Sequence, residues 1–327
     1  VAAGLRRRAV QLARGATTLV LDLLALKPIA VFVWGFSQRA NAIHFPERAR
    51  LLARIEGALA AGRPVVVAAN HVSWFDDPVI PMALYRSGPR AALELGALAI
   101  LLAAAASLPA PLGLAVGLAG ALGVAAFGVN KPWWTLGDLV NLSDASVLRG
   151  KLALTRKAPP GPLLRAWLRV ADSLIPWFMR SGTVRTIFVD RRAGEEARQV
   201  RERALEAALA VAARPEPVWV FFEGGRTKVP GRIAPARRGV GALILGLQKR
   251  GFEPLVLVVV HRGMERLIPP GGSRFLSTGH RVEVRWAEFD PQTCSDSRGD
   301  DQALADAIRE QALLLDAAAR TAETPPG

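Results

Sequence analysis

The sequence predicts an α/β fold, and three observations predict it. Short apolar runs of strand length alternate with stretches of helical periodicity. Four of the apolar runs end abruptly in polar clusters. A charge-free stretch broken by a proline turn interrupts the alternation at residues 95–130. In open α/β sheets ligands bind beyond the carboxyl ends of the strands, so parallel neighbours among those runs would bring their polar ends to one crevice.

Taken in order, the elements begin with Arg6, Arg7 and Arg8 ahead of a helical-looking stretch. No small-residue cleavage site follows, and no signal peptide is predicted. Residues 17–36 read TTLVLDLLALKPIAVFVWGF, strongly apolar but interrupted by Asp22, Lys27 and Pro28. A spanning helix needs about 20 apolar residues. Upstream arginines and Trp34 near the end therefore point to an interfacial or half-inserted helix. The competing expectation is a helix packed on the protein's own core.

Residues 64–69 read as a buried strand, followed by NHVSWFDDP at 70–78. The Asp-Asp-Pro reads as a helix start, with Pro78 at the first helical position and aspartates at the positive end of the dipole. His71 thus lies where a strand hands over to a helix. Residues 95–130 predict two apolar helices of about 15–18 residues, each about 25 Å long, around Pro109-Ala110-Pro111. Gly113 and Gly117 have the spacing that lets helices approach closely. The alternatives are a membrane-inserted hairpin and a hairpin buried in a soluble fold.

Further on, residues 186–189 predict a strand, and Ala197, Val200, Ala204, Ala208 and Val211 mark a helix face that stops at Pro215. Strands follow at 218–222 and 255–260, separated by a helix at 239–250 that Gly251 ends. Another strand falls at 282–286. Leu304, Ile308 and Leu315 space a final helix over 300–320.

Composition narrows the partners. The chain has 327 residues, is 51% hydrophobic and carries a net charge of +14, with a mean hydropathy of +0.23. Apolar and basic together suit an anionic membrane surface or acidic lipids. Nucleic acid is the other usual partner of such charge, but zinc-finger spacing and an aromatic RNA-binding signature are missing, so no nucleic-acid partner is expected. Cys294 is the sole cysteine, which excludes an intramolecular disulfide and a cysteine-rich metal site. No metal is expected.

The four polar clusters are Asn70-His71, Asp190-Arg191-Arg192, Glu223-Gly224-Gly225-Arg226-Thr227 and His261-Arg262-Gly263. A histidine is the usual general base, and a carboxylate on its far nitrogen fixes the tautomer. His71 with Asp76 forms such a dyad if the first helical turn brings the aspartate under the ring. No Ser or Cys nucleophile accompanies it, so the base would activate a substrate hydroxyl directly. Gly224 and Gly225 permit close backbone approach, and Arg226 grips phosphate through a fork of donors. Arg237 and Arg238 add cations before a helix N-terminus. Together these residues call for a phosphate-bearing molecule with a free hydroxyl. Each has a plainer reading too: a turn, a strand-end hydrogen bond at His261, and no signal at His44 or His280.

The segment from Asn70 to Asp76 resembles the first motif of the glycerolipid acyltransferases, the family of lysophosphatidic acid acyltransferase: a histidine, four residues, an aspartate. TIFVDRR at 186–192 resembles the second motif, with Arg191 at its basic position, and FFEGGRT at 221–227 resembles the third. VLVVVHRG at 256–263 stands where the fourth falls. Order and spacing agree over about residues 40–290. Asp76-Asp77-Pro78 and HRGMERLIPP at 261–270 resemble the tafazzin branch, whose members move acyl chains between phospholipids. Phe222 and Val258 stand where the family has proline, and Gly225 where it has threonine.

The resemblance implies a mixed sheet flanked by helices; the N-terminal membrane-associating helix and the apolar helical-hairpin insertion are read from the residues themselves, and the insertion is not a feature the family leads one to expect. Residues 1–50 would be the membrane-associating segment, 51–290 the catalytic domain with its insertion at about 90–130, and 291–327 a C-terminal helix and tail. His71 would deprotonate the glycerol hydroxyl of a lysophospholipid or lysophosphatidate, and Asp76 would orient it. Glu223, Gly224, Gly225 and Arg226 would hold the head group, with Arg191, Arg237 and Arg238 nearby. The acyl donor would be acyl-CoA, acyl carrier protein or a phospholipid, with no further cofactor. The enzyme would work on a phospholipid membrane, in a bacterium at the cytoplasmic face of the inner membrane. A non-catalytic membrane scaffold with the same fold is the rival expectation. Because His71 precedes the insertion and Glu223 follows it, a shared site requires the insertion to cross the bilayer an even number of times or not at all.

Overall fold

In chain order the elements are α1 (Lys27–Gly35), β1 (Ala42–His44), α2 (Arg48–Ala60), β2 (Val65–Ala69), α3 (Asp76–Tyr85), α4 (Ser87–Ala106) and α5 (Ala110–Phe127). Then come β3 (Trp134–Asp138), β4 (Thr186–Val189), α6 (Glu195–Ala212), β5 (Val218–Phe221) and α7 (Gly239–Lys249). The chain closes with β6 (Leu255–Arg262), the short α8 (Met264–Leu267), β7 (Arg281–Phe289), a 3-10 turn and α9 (Asp301–Glu323). These come from a computed structural model that describes residues 27–35, 42–73, 76–127, 134–138, 185–189, 194–214, 216–225, 227, 229, 231–267, 279–293 and 300–323.

The seven strands form one sheet in the order β1-β7-β6-β2-β5-β3-β4. All pairings are parallel except β6 with β7. β2 is buried at every residue, as a strand covered on both faces requires. Its alternation divides the core in two. Val66 and Ala68 join Val220, Val258 and residues such as Ala208, Leu243 and Ile308 from α6, α7 and α9. Val65, Val67 and Ala69 join Trp219, Val259 and the α2 and α3 residues Leu51, Ile55 and Ile80. The result is a three-layer sandwich in which β6, β2 and β5 are neighbours and end on the same side.

The strands expected at 186–189, 218–222, 255–260 and 282–286 are present, as are the helices expected near 197–211, 239–250 and 300–320. Helix α3 differs in register: it begins at Asp76, so Pro78 is its third residue. The first-turn N–H groups of a helix have no intrahelical acceptor, so a proline there removes no helical bond.

The charge-free stretch forms the expected pair of antiparallel helices, α4 and α5, but α4 starts eight residues earlier than that stretch, after Arg86 in a left-handed conformation (φ 51°). A Cβ on Gly113 would collide with the Ala105 carbonyl oxygen, so glycine there is what lets the two backbones touch. The hairpin is not buried in the fold. Its outer surface exposes Leu93, Ile100, Leu102, Leu114, Leu118 and Leu122, each about half exposed or more. Among the described residues, one helical segment, Gly88–Ala106, is long and apolar enough to cross a membrane by length and composition, with a mean hydropathy of 1.5.

Of the apolar N-terminal stretch, only α1 lies within the described residues, and it packs against α3 and α4. Lys27 is enclosed at its start, its Nζ 3.0 Å from Glu94 on α4. The Lys27 charge that interrupts the apolar stretch is thus neutralised within the protein.

Candidate active site

The turn after β2 is built around one carboxylate oxygen. Asp76 Oδ2 accepts the N–H groups of Val72 and Ser73, both at 2.7 Å, and lies 3.0 Å from His71 Nδ1. The aspartate sits at the first residue of α3, where the helix dipole favours a negative charge. Its carboxylate folds the loop back so that the first helical turn lies under the imidazole. His71 Nδ1 therefore donates to Asp76, leaving Nε2 with its lone pair available as a base. The ring stacks on Phe221 from the end of β5, with centroids 4.3 Å apart and planes 20° from parallel. Asp76 is buried, and His71 is partly exposed.

Two further residues hold this turn, and neither role was legible in the sequence. Glu223, after β5, accepts the His71 N–H through Oε1 at 3.1 Å and the Ala234 N–H through Oε2 at 3.2 Å. Both carboxylate oxygens are thus engaged by backbone. Burial pushes its pKa up to about 7, against the opposing pull of those two N–H donors. Asn70 clamps β2 to β6: its Nδ2 donates to the His261 carbonyl at 3.0 Å, and its Oδ1 accepts the His261 N–H at 2.9 Å. His261 Nε2 donates in turn to the Asn70 carbonyl at 2.9 Å, and stands 3.8 Å from Asp76 Oδ2. His261 is therefore the strand-end hydrogen-bonder that its position suggested, placed behind the dyad. The only sequence signal for this coupling is that both residues follow apolar runs of adjacent strands.

Gly224 takes a left-handed φ of 64°, and a Cβ there would come 2.7 Å from Arg237 Cγ. That contact brings the stem of Arg237 beside the Glu223-Gly224-Gly225 turn, and the Arg237 N–H donates to the Phe222 carbonyl at 2.8 Å. The Arg237 and Arg238 side chains are exposed. Arg238 lies 3.7 Å from Asp301, at the start of α7. Arg191 and Arg226 lie outside the described residues. Among the described residues the site thus unites His71, Asp76, Glu223, Gly224, Gly225 and Arg237. His44, on the edge strand β1, pairs with Glu283 at 2.6 Å.

No protein-family model and no curated protein matches the sequence. Among solved structures, the chain is similar to the crystal structure of the 1-acyl-sn-glycerophosphate (LPA) acyltransferase PlsC from Thermotoga maritima. The two share 15% sequence identity with a TM-score of 0.41, and the match covers 98% of each chain.

The elevated Glu223 pKa has a consequence for stability. A carboxyl raised from 4.5 to about 7 binds its proton more tightly in the folded than in the unfolded chain. Its contribution is complete below the unfolded value and is lost as pH rises through about 7. Unfolding midpoints in urea should fall between pH 5 and pH 8 in the wild type. In Glu223→Gln this part of the slope should vanish, and an unchanged slope in that variant would remove Glu223 as its source.

Proposed function

We propose that this protein is a membrane-associated O-acyltransferase that transfers a fatty acyl chain to the free hydroxyl of a lysophospholipid or lysophosphatidate. The observation that carries the reading is the His71–Asp76 pair at the end of β2, with Nδ1 held by the carboxylate at 3.0 Å. His71 Nε2 takes the proton of the acceptor hydroxyl as its oxygen attacks the acyl carbonyl carbon. The tetrahedral intermediate then collapses, breaking the bond from the acyl carbon to the donor's thiol sulfur or ester oxygen. The imidazolium returns the proton to that leaving group. Asp76 fixes the tautomer and stabilises the imidazolium between the two transfers. Glu223 acts on the reaction through backbone, by holding the His71 N–H, while Gly224, Gly225 and Arg237, with Arg238, are the candidate grip on the acceptor phosphate, to which the sequence motifs add Arg191 and Arg226.

The exposed leucines of α4 and α5 support membrane association, because an apolar surface of this extent on a soluble monomer is unusual. The strands flanking the hairpin, β2 and β3, belong to one sheet with β5 between them. Both ends of the hairpin therefore return to the same side of any bilayer it enters, as a site shared by His71 and Glu223 requires.

The deciding experiment offers purified protein labelled lysophosphatidate or lysophosphatidylcholine, with acyl-CoA or diacyl phospholipid as donor in separate reactions. Labelled diacyl product is expected in at least one pairing. Product from phospholipid alone would make the protein a transacylase of the tafazzin type. No product with any pairing would overturn the reading in favour of a non-catalytic membrane scaffold.

A further inference from the structure

At the end of β6 the chain carries chemistry that the His71 crevice does not use. Successive strand residues point to opposite faces. His261 turns toward Asn70 and Asp76, whereas Arg262 turns toward α9, its Nε 3.4 Å from Asp316. Around Arg262 lies an open cleft of about 520 Å³ whose lining includes Arg232, Arg266 and Arg320. That volume is within the ordinary range of small-ligand sites, about 300–1,000 Å³. The four arginines come from separate places in the chain: the turn after Gly231, the end of β6, α8 and the last turns of α9.

Two carboxylates offset this charge in part. Asp316 is buried and shared between Arg320, at 2.7 Å, and Arg262. Glu265, which also lines the cavity, accepts the Gly263 N–H at 2.9 Å. Among the described residues, four guanidiniums against two carboxylates leave an excess of two positive charges. Arg320 is further tied to the Gly231 carbonyl at 2.7 Å, which sets the wall of the cavity. Arg262 Nη1 is enclosed with no hydrogen-bond acceptor among the described residues. A buried donor in that state costs free energy that an incoming acceptor recovers.

We infer that this pocket binds a phosphorylated anion, at a site separate from the His71–Asp76 dyad. Arginine forks match the oxygens of phosphate in bidentate pairs, and several converging on one cavity favour a ligand with more than one anionic oxygen. Two residues beside this pocket reach the dyad: the Thr227 N–H donates to the His71 carbonyl, and the Ala234 N–H to Glu223. The phosphate belongs either to a free soluble anion or to a lipid head group.

Calorimetric titration of the full chain in neutral detergent separates the two sources. The probes are inorganic pyrophosphate and dihexanoyl phosphatidate, with dihexanoyl phosphatidylcholine as the zwitterionic reference. The pocket variant is Arg232→Ala with Arg266→Ala, because both side chains are exposed and stand outside the Asp316 network. Its control is Arg198→Ala with Arg203→Ala on the outer face of α6, which removes the same charge elsewhere. Affinity is expected to fall at least about 10-fold in the pocket variant and less than about 2-fold in the control. Pyrophosphate binding with that pattern identifies a free anion, and the pattern with phosphatidate alone identifies a lipid head group. Equal losses in the two variants, no loss in the pocket variant, or no binding of either probe tighter than about 1 mM would overturn the inference.

Discussion

Replacing His71 by alanine is expected to lower kcat for acyl transfer by about 10²–10⁴-fold, the usual contribution of a positioned general base. The ring is partly exposed, stacked on Phe221 and bonded to Asp76, so its loss removes the base without opening the core. The thermal midpoint should therefore move by no more than about 2–3 °C in a chain of this size. Because the vacated space opens at the site, added imidazole should restore part of the lost rate in His71→Ala and none in the wild type. Radiolabelled lysophospholipid turnover beside a circular-dichroism melt checks both halves. Wild-type kcat in the alanine variant would remove His71 from the mechanism, whatever the fold.

Asp76 is expected to matter to fold and reaction alike, and two variants separate the contributions. In Asp76→Ala the N–H groups of Val72 and Ser73 lose their acceptor at buried positions. Each such orphan costs about 1–3 kcal/mol, so urea denaturation should show a loss of about 2–6 kcal/mol together with inactivity. Asp76→Asn keeps one oxygen for the backbone donors, and its stability should fall by only about 1–2 kcal/mol. Its amide cannot stabilise an imidazolium and permits the wrong tautomer of His71, so kcat should still drop by about 10²–10⁴-fold. An asparagine variant with wild-type kcat would reduce Asp76 to a cap for the loop.

Local pattern was enough wherever burial alone decides structure. The strand at Thr186–Val189 and the helix beginning at Gly239 stand at the predicted residues because their apolar periodicity matches the faces they bury. The spacing of His71 and Asp76 was legible for a similar reason: five residues apart, across a strand end and one helical turn, they meet through local geometry. Two strands had no such signal. β1 has only three residues, and β3, WTLGD, contains neither a sustained alternation nor a long apolar run. Each is a strand because a neighbouring edge, β7 for the first and β5 with β4 for the second, offers hydrogen bonds that its own sequence does not demand.

From the sequence alone came an α/β class, a candidate acid–base dyad, a cluster of candidate phosphate-binding residues and an apolar helical hairpin without charge. Only the tertiary structure decided that the hairpin exposes its leucines instead of burying them, and that both oxygens of Glu223 are taken up by the His71 and Ala234 N–H groups. It alone coupled Asn70 to His261, 191 residues away, and drew four arginines around one cavity. The physical reason is common to these cases. Periodicity reports which face of an element is dry, whereas a hydrogen-bond partner far along the chain depends on which strands lie side by side, and strand order is set by the whole sheet.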